Sequence, residues 1–256
     1  MQFLSSDAIL LDVRELHEHD RIVTYLSRDA GKRRGVARGS KRKYSRFAGQ
    51  LQPLARCRVS WFERPRSELT RITDVEWIRS PGRLQADLEG ILLGSYLADH
   101  TDAFAPEGEV NDPLYRLLES TLEGLENGVD RELATRYFET WVLRLAGIFP
   151  PPERCPQCGR RLGAEAWLAP SGEGIVCGTC DIGEVSGKPV ATAALEFLRG
   201  SAHRGLAQMA SEVPAARDPV ALSAVEAVCR TVRRGFLQHE LKSYEVMQKT
   251  LATVAT

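Results

Sequence analysis

Apolar residues recur at every second position in short runs over the first eighty residues, and at every third or fourth position after that. "AILLDVREL" sets Ile9, Leu11 and Val13 against polar neighbours. "RIVTYLS", "KRRGVARG", "LQPLARCRVSWFE" and "ELTRITDVEWI" follow, short and rich in Val, Ile, Thr and aromatics. Turn-forming residues separate them at Asp29-Ala30-Gly31, Gly39-Ser40, Gly49, Pro53 and Arg64-Pro65. The pattern predicts about five strands in some eighty residues, the content of a small barrel of the OB type. An SH3-like barrel is the rival, and periodicity alone does not separate the two.

Ser80-Pro81-Gly82 ends this module, and the spacing then becomes helical. "RLQADLEGILLGSYLADHTDAF" predicts a helix with Leu84, Leu88, Ile91, Leu92, Ser95 and Ala98/Asp99 on one stripe. "PLYRLLESTLEGLENG" and "DRELATRYFETWVLRLAGIF" continue the pattern. Asp112 and Asp130 are placed as N-caps, and Gly128 and Gly147 as stops. Pro150-Pro151-Pro152 breaks the run, and helical spacing resumes in "PVATAALEFLRG" and "DPVALSAVEAVCRTVRRGFLQHEL". The expectation is an α+β multi-domain chain. It has a barrel over 1–80, helices over 81–154, a cysteine-rich insert over 155–181 and a C-terminal helical part over 182–256.

That insert carries Cys155-x2-Cys158 and Cys177-x2-Cys180. Two such knuckles match the four-thiolate zinc pattern, because each short turn brings two sulfurs within reach of one ion. Gly159 and Gly178 are expected to let the knuckles turn. The loop-rich stretch between them has too little apolar content for a core of its own, so one structural Zn2+ would supply the missing stability. Four thiolates leave no open coordination position, which argues against catalytic zinc. A redox pair is the weaker rival, and Cys57 and Cys229 are expected to be buried thiols.

Charge adds what periodicity does not show. The chain balances at 34 basic and 34 acidic residues, yet residues 1–80 carry 17 Lys/Arg against 10 Asp/Glu, and residues 81–154 carry 6 against 14. The excess is concentrated in "GKRRGVARGSKRKYSRFAG", with Lys32, Arg33, Arg34, Arg38, Lys41, Arg42, Lys43 and Arg46 and no acid. Such a cluster suits a polyphosphate. Its small residues suggest an extended, mobile loop, and Tyr44 and Phe47 are candidates for stacking on bases. Arg21 and Arg28 extend this face, and Arg56 and Arg58 share one side of a strand with Ser60. The blander alternative is a solvated hairpin paired with acidic neighbours. Trp61, Phe62, Trp77 and Tyr25 are assigned to packing. Arg230, Arg233 and Arg234 form a smaller basic face on the last long helix, a candidate for an acidic partner tail.

No Gly-x4-Gly-Lys-[Ser/Thr] loop, His-Glu-x-x-His pair or deaminase His-x-Glu partner is present, so no enzyme is expected. The five histidines are scattered and are read as surface or cap residues; Glu107 and Glu109 are read as solvated loop. No run of apolar residues is long enough to span a membrane, and the start does not read as a secretory signal. The cytoplasm is the expected compartment.

The order of parts resembles the RecO family of bacterial recombination mediators. The likeness is carried by "DRIVTYLSRDAGKRRGVARGSKRKYSRFAGQLQPL", "LAGIFPPPERCPQCG" and "LKSYEVM". Gly31-Lys32, Val36-Ala37-Arg38-Gly39, Ser45-Arg46 and Leu51-Gln52-Pro53 are its most specific positions. The resemblance implies an N-terminal OB fold, a helical body and a zinc knuckle. It also implies binding of single- and double-stranded DNA, annealing of complementary strands and no nucleotide hydrolysis. The implied partners are RecR and the single-stranded-DNA-binding protein with its acidic tail, and the implied setting is the bacterial nucleoid. A zinc-containing RNA-binding adaptor and a protein-interaction scaffold are the alternatives.

Overall fold

The computed structural model describes residues 2–63, 67, 69–180 and 187–254. The break at Arg64-Pro65, the last insert residue Asp181 and the start of the C-terminal part lie outside the described residues. The chain divides into two compact units, one formed by 1–122 with 241–256 and the other by 123–240. These units cut across the sequence division, because the last helix belongs with the barrel.

In the first unit, five strands close a barrel: β1 (Gln2–Leu16), β2 (Asp20–Ser27), β3 (Gly31–Ala37), β4 (Arg56–Glu63) and β5 (Leu69–Arg79). Their order is β1-β2-β3-β5-β4, with β3 and β5 parallel and the other neighbours antiparallel. β1 is long because it closes the barrel, its first half pairing with β4 and its second with β2. This is the OB fold, and it resolves the choice that periodicity left open. The core contains Ala8, Leu10, Val23, Tyr25, Ala37, Cys57, Val59, Trp61, Ile72 and Val75. The expected inward row of Ile9, Leu11 and Val13 is therefore corrected. A register shift between Leu10 and Asp12 flips the parity, so Ala8 and Leu10 face the barrel core and Val13 packs against it. Ile9 and Leu11 are nonetheless buried, so this part of β1 has few exposed apolar groups to give it a phase.

Helix α1 (Leu88–Phe104) starts at Asp87, whose carboxylate accepts from Gly90 N at 2.8 Å. Its buried side chains include Leu93, Tyr96, Leu97 and His100, whereas Leu88 and Ile91 are about half exposed. The predicted stripe was thus misplaced, since apolar residues surround this helix and give it no clear phase. α2 (Asp112–Glu126) is capped by Asn111, whose Oδ1 accepts from Leu114 N at 3.1 Å, rather than by Asp112. α7 (Lys242–Val254) returns to α1, where Asp99 accepts from Ser243 Oγ at 2.6 Å and the Tyr244 ring meets Tyr96. His100 is fully buried between Tyr96 and Phe104, unlike the surface histidine expected there.

The second unit is built around α3 (Arg131–Leu145), which is buried on nearly all sides. Asp130 caps it as expected, accepting from Leu133 N at 2.9 Å. α4 (Thr192–Ser201), α5 (Leu206–Glu212) and α6 (Pro219–Leu237) pack around it. The cysteine-rich insert is less irregular than expected. It contributes β6 (Ala166–Leu168) and β7 (Ile175–Cys177), which join β8 (Lys188–Val190) in the order β7-β6-β8. Leu162, Leu168 and Ile175 are almost fully buried. Arg199 of α4 ties the insert down by donating from Nη2 to the carbonyls of Pro152 and Leu162, each at 2.8 Å.

Candidate nucleic-acid interface and metal centre

The eight clustered cations fall into two groups. The β3 cations are each held by an acid. Lys32 Nζ donates to the Asp102 carbonyl at 2.6 Å and lies 3.1 Å from its carboxylate. Arg34 grips Glu107 with two hydrogen bonds, at 3.0 and 3.3 Å. Arg33 has the inward parity of Gly35 and Ala37 and reaches Glu63 at 3.3 Å. The chain after α1 is laid directly on this strand: Gly108 N donates to the Lys32 carbonyl at 2.9 Å, and residues 32 and 107 form a parallel bridge. Gly31 adopts φ +70°, and a Cβ there would run into the Glu109 backbone. Nearby, Arg28 pairs with Asp112 at 2.9 Å, a contact that raises its pKa. Sequence reasoning missed these carboxylates, and Glu107 is an ion-pair partner rather than an idle loop acid. Arg56 and Arg58 do share one side of β4, but Asp7 and Glu119 hold Arg56, and Asp7 holds Arg58.

The remaining cations lie beyond β3, in the segment 38–50. Lys41 pairs with Glu15 at 3.0 Å. Arg38, Arg42, Lys43 and Arg46 have no carboxylate partner among the described residues, and all four are exposed. Arg46 donates to the Thr73 carbonyl at 3.0 Å, and Lys43 lies 5.6 Å from the centre of the Tyr44 ring. Tyr44 is 90% exposed, whereas Phe47 is 2% exposed and belongs to the barrel core. Phe47 is thus withdrawn as a stacking candidate, and the segment is not the extended loop expected. It is a chain of tight turns, with Arg42 N, Ser45 N, Ala48 N and Gln50 N each donating to the carbonyl three residues back. Phe47 and Leu51 pin it to the core, and Gly39 N donates to Asp20 at 2.7 Å. Trp61 packs inside as expected; Trp77 is 43% exposed and donates from its indole to the Gln50 carbonyl at 2.6 Å.

The four knuckle cysteines converge. Their sulfurs all lie within 4.8 Å of one another, with Cys158 and Cys177 3.6 Å apart. Four sulfurs arranged tetrahedrally at about 2.3 Å from a zinc ion stand about 3.8 Å apart, so the cluster fits such an ion. The first knuckle turns at Gly159, with φ +71°, whose N–H donates to the Cys155 carbonyl at 2.9 Å. Gly178 serves differently: its φ is ordinary, but a Cβ there would press on the Glu165 side chain. The Thr179 hydroxyl sits 3.1 Å from Cys177 Sγ, and this contact draws the Cys177 thiol down to about 6. The neighbouring sulfurs of Cys158 and Cys177 push the Cys180 thiol up to about 12. Cys57 and Cys229 are buried, as read from the sequence, and burial pushes both up to about 12.

The small basic face on α6 does not survive as a trio. Arg233 is fully buried, lying 3.6 Å from Glu139 and 2.6 Å from Glu240. Glu139 also pairs with Arg136, and Arg230 pairs with Glu240 at 2.8 Å. These contacts make a buried ionic network with alternating signs. Of the three arginines, Arg230 and Arg234 are exposed. No helix among the described residues is long and apolar enough to cross a membrane.

Two family models cover the chain: Recombination protein O N terminal matches residues 1–81, and Recombination protein O C terminal matches residues 85–245. DNA repair protein RecO of Anaeromyxobacter sp. (strain K) is 32% identical over 234 residues, covering 91% of this chain and 89% of that protein. The protein of the same name from Pelotomaculum thermopropionicum is 34% identical over 209 residues, covering 82% and 80%. That of Koribacter versatilis is 36% identical over 172 residues, covering 67% and 70%. With an OB barrel at the N-terminus, helices following it in the chain and both family models matched, the chain belongs to the RecO family and has a role in DNA repair and recombination.

Proposed function

We propose that this protein is a non-enzymatic recombination mediator that grips single- and double-stranded DNA through the turn segment 38–46 and anneals complementary strands. The observation that carries this reading is the group of four exposed cations, Arg38, Arg42, Lys43 and Arg46, without a carboxylate partner among the described residues. Exposed guanidinium and ammonium groups release counterions from a phosphate backbone, and Tyr44 beside them offers a face to an unstacked base. None of these groups is set up to read base edges in a groove, which suits a protein that must accept any sequence. Cations on one strand also lower its repulsion toward a second. Lys32, Arg33, Arg34 and Lys41 support the fold around the interface rather than the contact itself.

The same reading gives the cysteine cluster one structural Zn2+, held by Cys155, Cys158, Cys177 and Cys180. Four thiolates saturate the ion, so its contribution is stability of the insert and not chemistry. RecR and the single-stranded-DNA-binding protein are the proposed partners in loading recombinase. Arg234 remains on the surface for an acidic tail; Arg230 is also exposed but engaged by Glu240, and Arg233 is buried. The test is annealing of complementary oligonucleotides followed by fluorescence, with and without the strand-coating protein. The triple variant Arg38→Glu/Arg42→Glu/Lys43→Glu should lose annealing and bind single strands on the order of 100-fold more weakly at low salt. Wild-type annealing by that variant, with its barrel intact, would remove the proposal.

A further inference from the structure

A second cluster of cations without carboxylate partners among the described residues stands on the cysteine knuckle in the other compact unit. Arg154, Arg160 and Arg161 bracket the first knuckle, and all three are exposed. The backbone fixes them together. Residues 154 and 161 form an antiparallel bridge, and Cys155 N donates to the Arg160 carbonyl at 2.8 Å. Two of the side chains are anchored at one nitrogen: Arg154 donates to the Gly159 carbonyl and Arg160 to the Thr179 hydroxyl, both at 3.1 Å. Anchoring of this kind orients a guanidinium and leaves its other donors available. None of the three has a carboxylate partner among the described residues, not even adjacent Glu153, in contrast to the β3 arginines.

The surroundings favour one kind of occupant. Among the described residues, no large apolar side chain is exposed between Leu145 and Val220. A stable protein partner usually seats aromatic or apolar anchors around its charged contacts, and the described residues of this stretch expose none. A phosphodiester backbone needs only oriented cations. Arg160 stands nearest the metal cluster, through Thr179 and Cys177, whereas Arg154 and Arg161 make no hydrogen bond to a sulfur. Support of the thiolates therefore does not account for all three.

We infer that Arg154, Arg160 and Arg161 dock the phosphate backbone of a second nucleic-acid segment, so that one chain holds two strands, one on each compact unit. This rests on the annealing function proposed above, in which two strands must be brought together. The test uses the full-length, metal-loaded chain in three forms: wild type, Arg154→Gln/Arg161→Gln, and Arg154→Lys/Arg161→Lys. Metal content, the number of short oligonucleotides bound at saturation and the annealing rate are measured for each. The Gln variant should keep its metal, bind one oligonucleotide instead of two and anneal at least about tenfold more slowly. Its salt slope should fall by about 1.4, the share of two single-strand phosphate contacts. The Lys variant should retain both sites, since charge carries the contact.

Wild-type stoichiometry and annealing in the Gln variant would overturn the inference. So would loss of its metal, or failure of the Lys variant alongside it, because either would give these arginines a structural role. Displacement of the second strand by poly-glutamate more readily than by an oligonucleotide would reassign the surface to an acidic protein. The loop variant Arg38→Glu/Arg42→Glu/Lys43→Glu separates the two claims. If it anneals normally, the turn segment is not the annealing grip and the proposed function falls; if only the knuckle variant anneals normally, the second site alone falls.

Discussion

Strand β3 and the turn segment after it carry similar charge in the sequence and meet opposite fates in the fold. Lys32, Arg33 and Arg34 are matched to Asp102, Glu63 and Glu107, so their charge serves to dock one part of the chain on another. Arg38, Arg42, Lys43 and Arg46, a few residues on, have no carboxylate partner among the described residues. A run of cations is thus not one functional unit. What each cation can do is decided by acids about seventy residues away in the chain, as for Lys32 with Asp102 and Arg34 with Glu107. The segment 38–50 gains from this arrangement, because Phe47 in the core holds it in a fixed shape while its cations stay exposed. A grip presented on a pinned turn loses less entropy on binding than one on a free loop.

That comparison can be broken most severely at Phe47. Phe47→Ala should destabilise the barrel by about 3–5 kcal/mol, as removal of a buried aromatic side chain does, and chemical denaturation should show it. Tyr44→Ala, three residues earlier, should leave stability unchanged within about 0.5 kcal/mol because the ring is exposed. It should instead weaken single-strand binding by about 1–3 kcal/mol, read as a loss of about 5- to 150-fold in a fluorescence titration. Equal effects of the two substitutions on stability would mean that the segment is not anchored as described. The smallest expected change is at Glu107. Glu107→Gln breaks a half-exposed ion pair and should cost below about 1 kcal/mol of stability. Thermal denaturation should show a shift of no more than that size, and a larger loss would mean that this pair anchors the fold rather than merely neutralising charge.

The four-cysteine cluster, the proposed metal site, gives an independent contrast between pinned and reactive groups. After chelation, a thiol reagent at pH 8 should modify Cys155, Cys158, Cys177 and Cys180, while Cys57 and Cys229 stay protected until the chain unfolds. Both of the latter are fully buried in packed cores, out of reach of the reagent, whereas metal removal should open the insert around the knuckle sulfurs. Rapid labelling of Cys57 in the folded protein would place it outside the barrel core.

The barrel was readable because alternation with period two and well-placed turns are local signals, and the cysteine knuckles because their spacing is. Parity within β1 was not, since a one-residue irregularity at Leu10/Asp12 leaves no mark in an apolar run. The buried face of α1 was equally hidden, with Leu88, Ile91, Leu93 and Leu97 spread around the helix. Phe47 looked like a stacking residue because it sits among cations; only the closed barrel shows that it fills the core. Arg233 looked like its neighbours Arg230 and Arg234 until α3 brought Glu139 beside it. In each case the missing information was a contact distant in sequence. The arginines at 154, 160 and 161 did have a local signal, the "ERCPQCGRR" run, but the cysteines drew the reading toward the metal alone.

The division between strand and turn cations is tested most directly by the salt dependence of single-stranded DNA binding in two neutralised variants. Arg38→Gln/Arg42→Gln/Lys43→Gln should reduce the slope of log affinity against log salt by about 2, the share of three phosphate contacts. Lys32→Gln/Arg34→Gln should leave the slope unchanged, showing its effect in thermal stability instead. A strand variant whose slope falls as far as that of the turn variant would contradict the account.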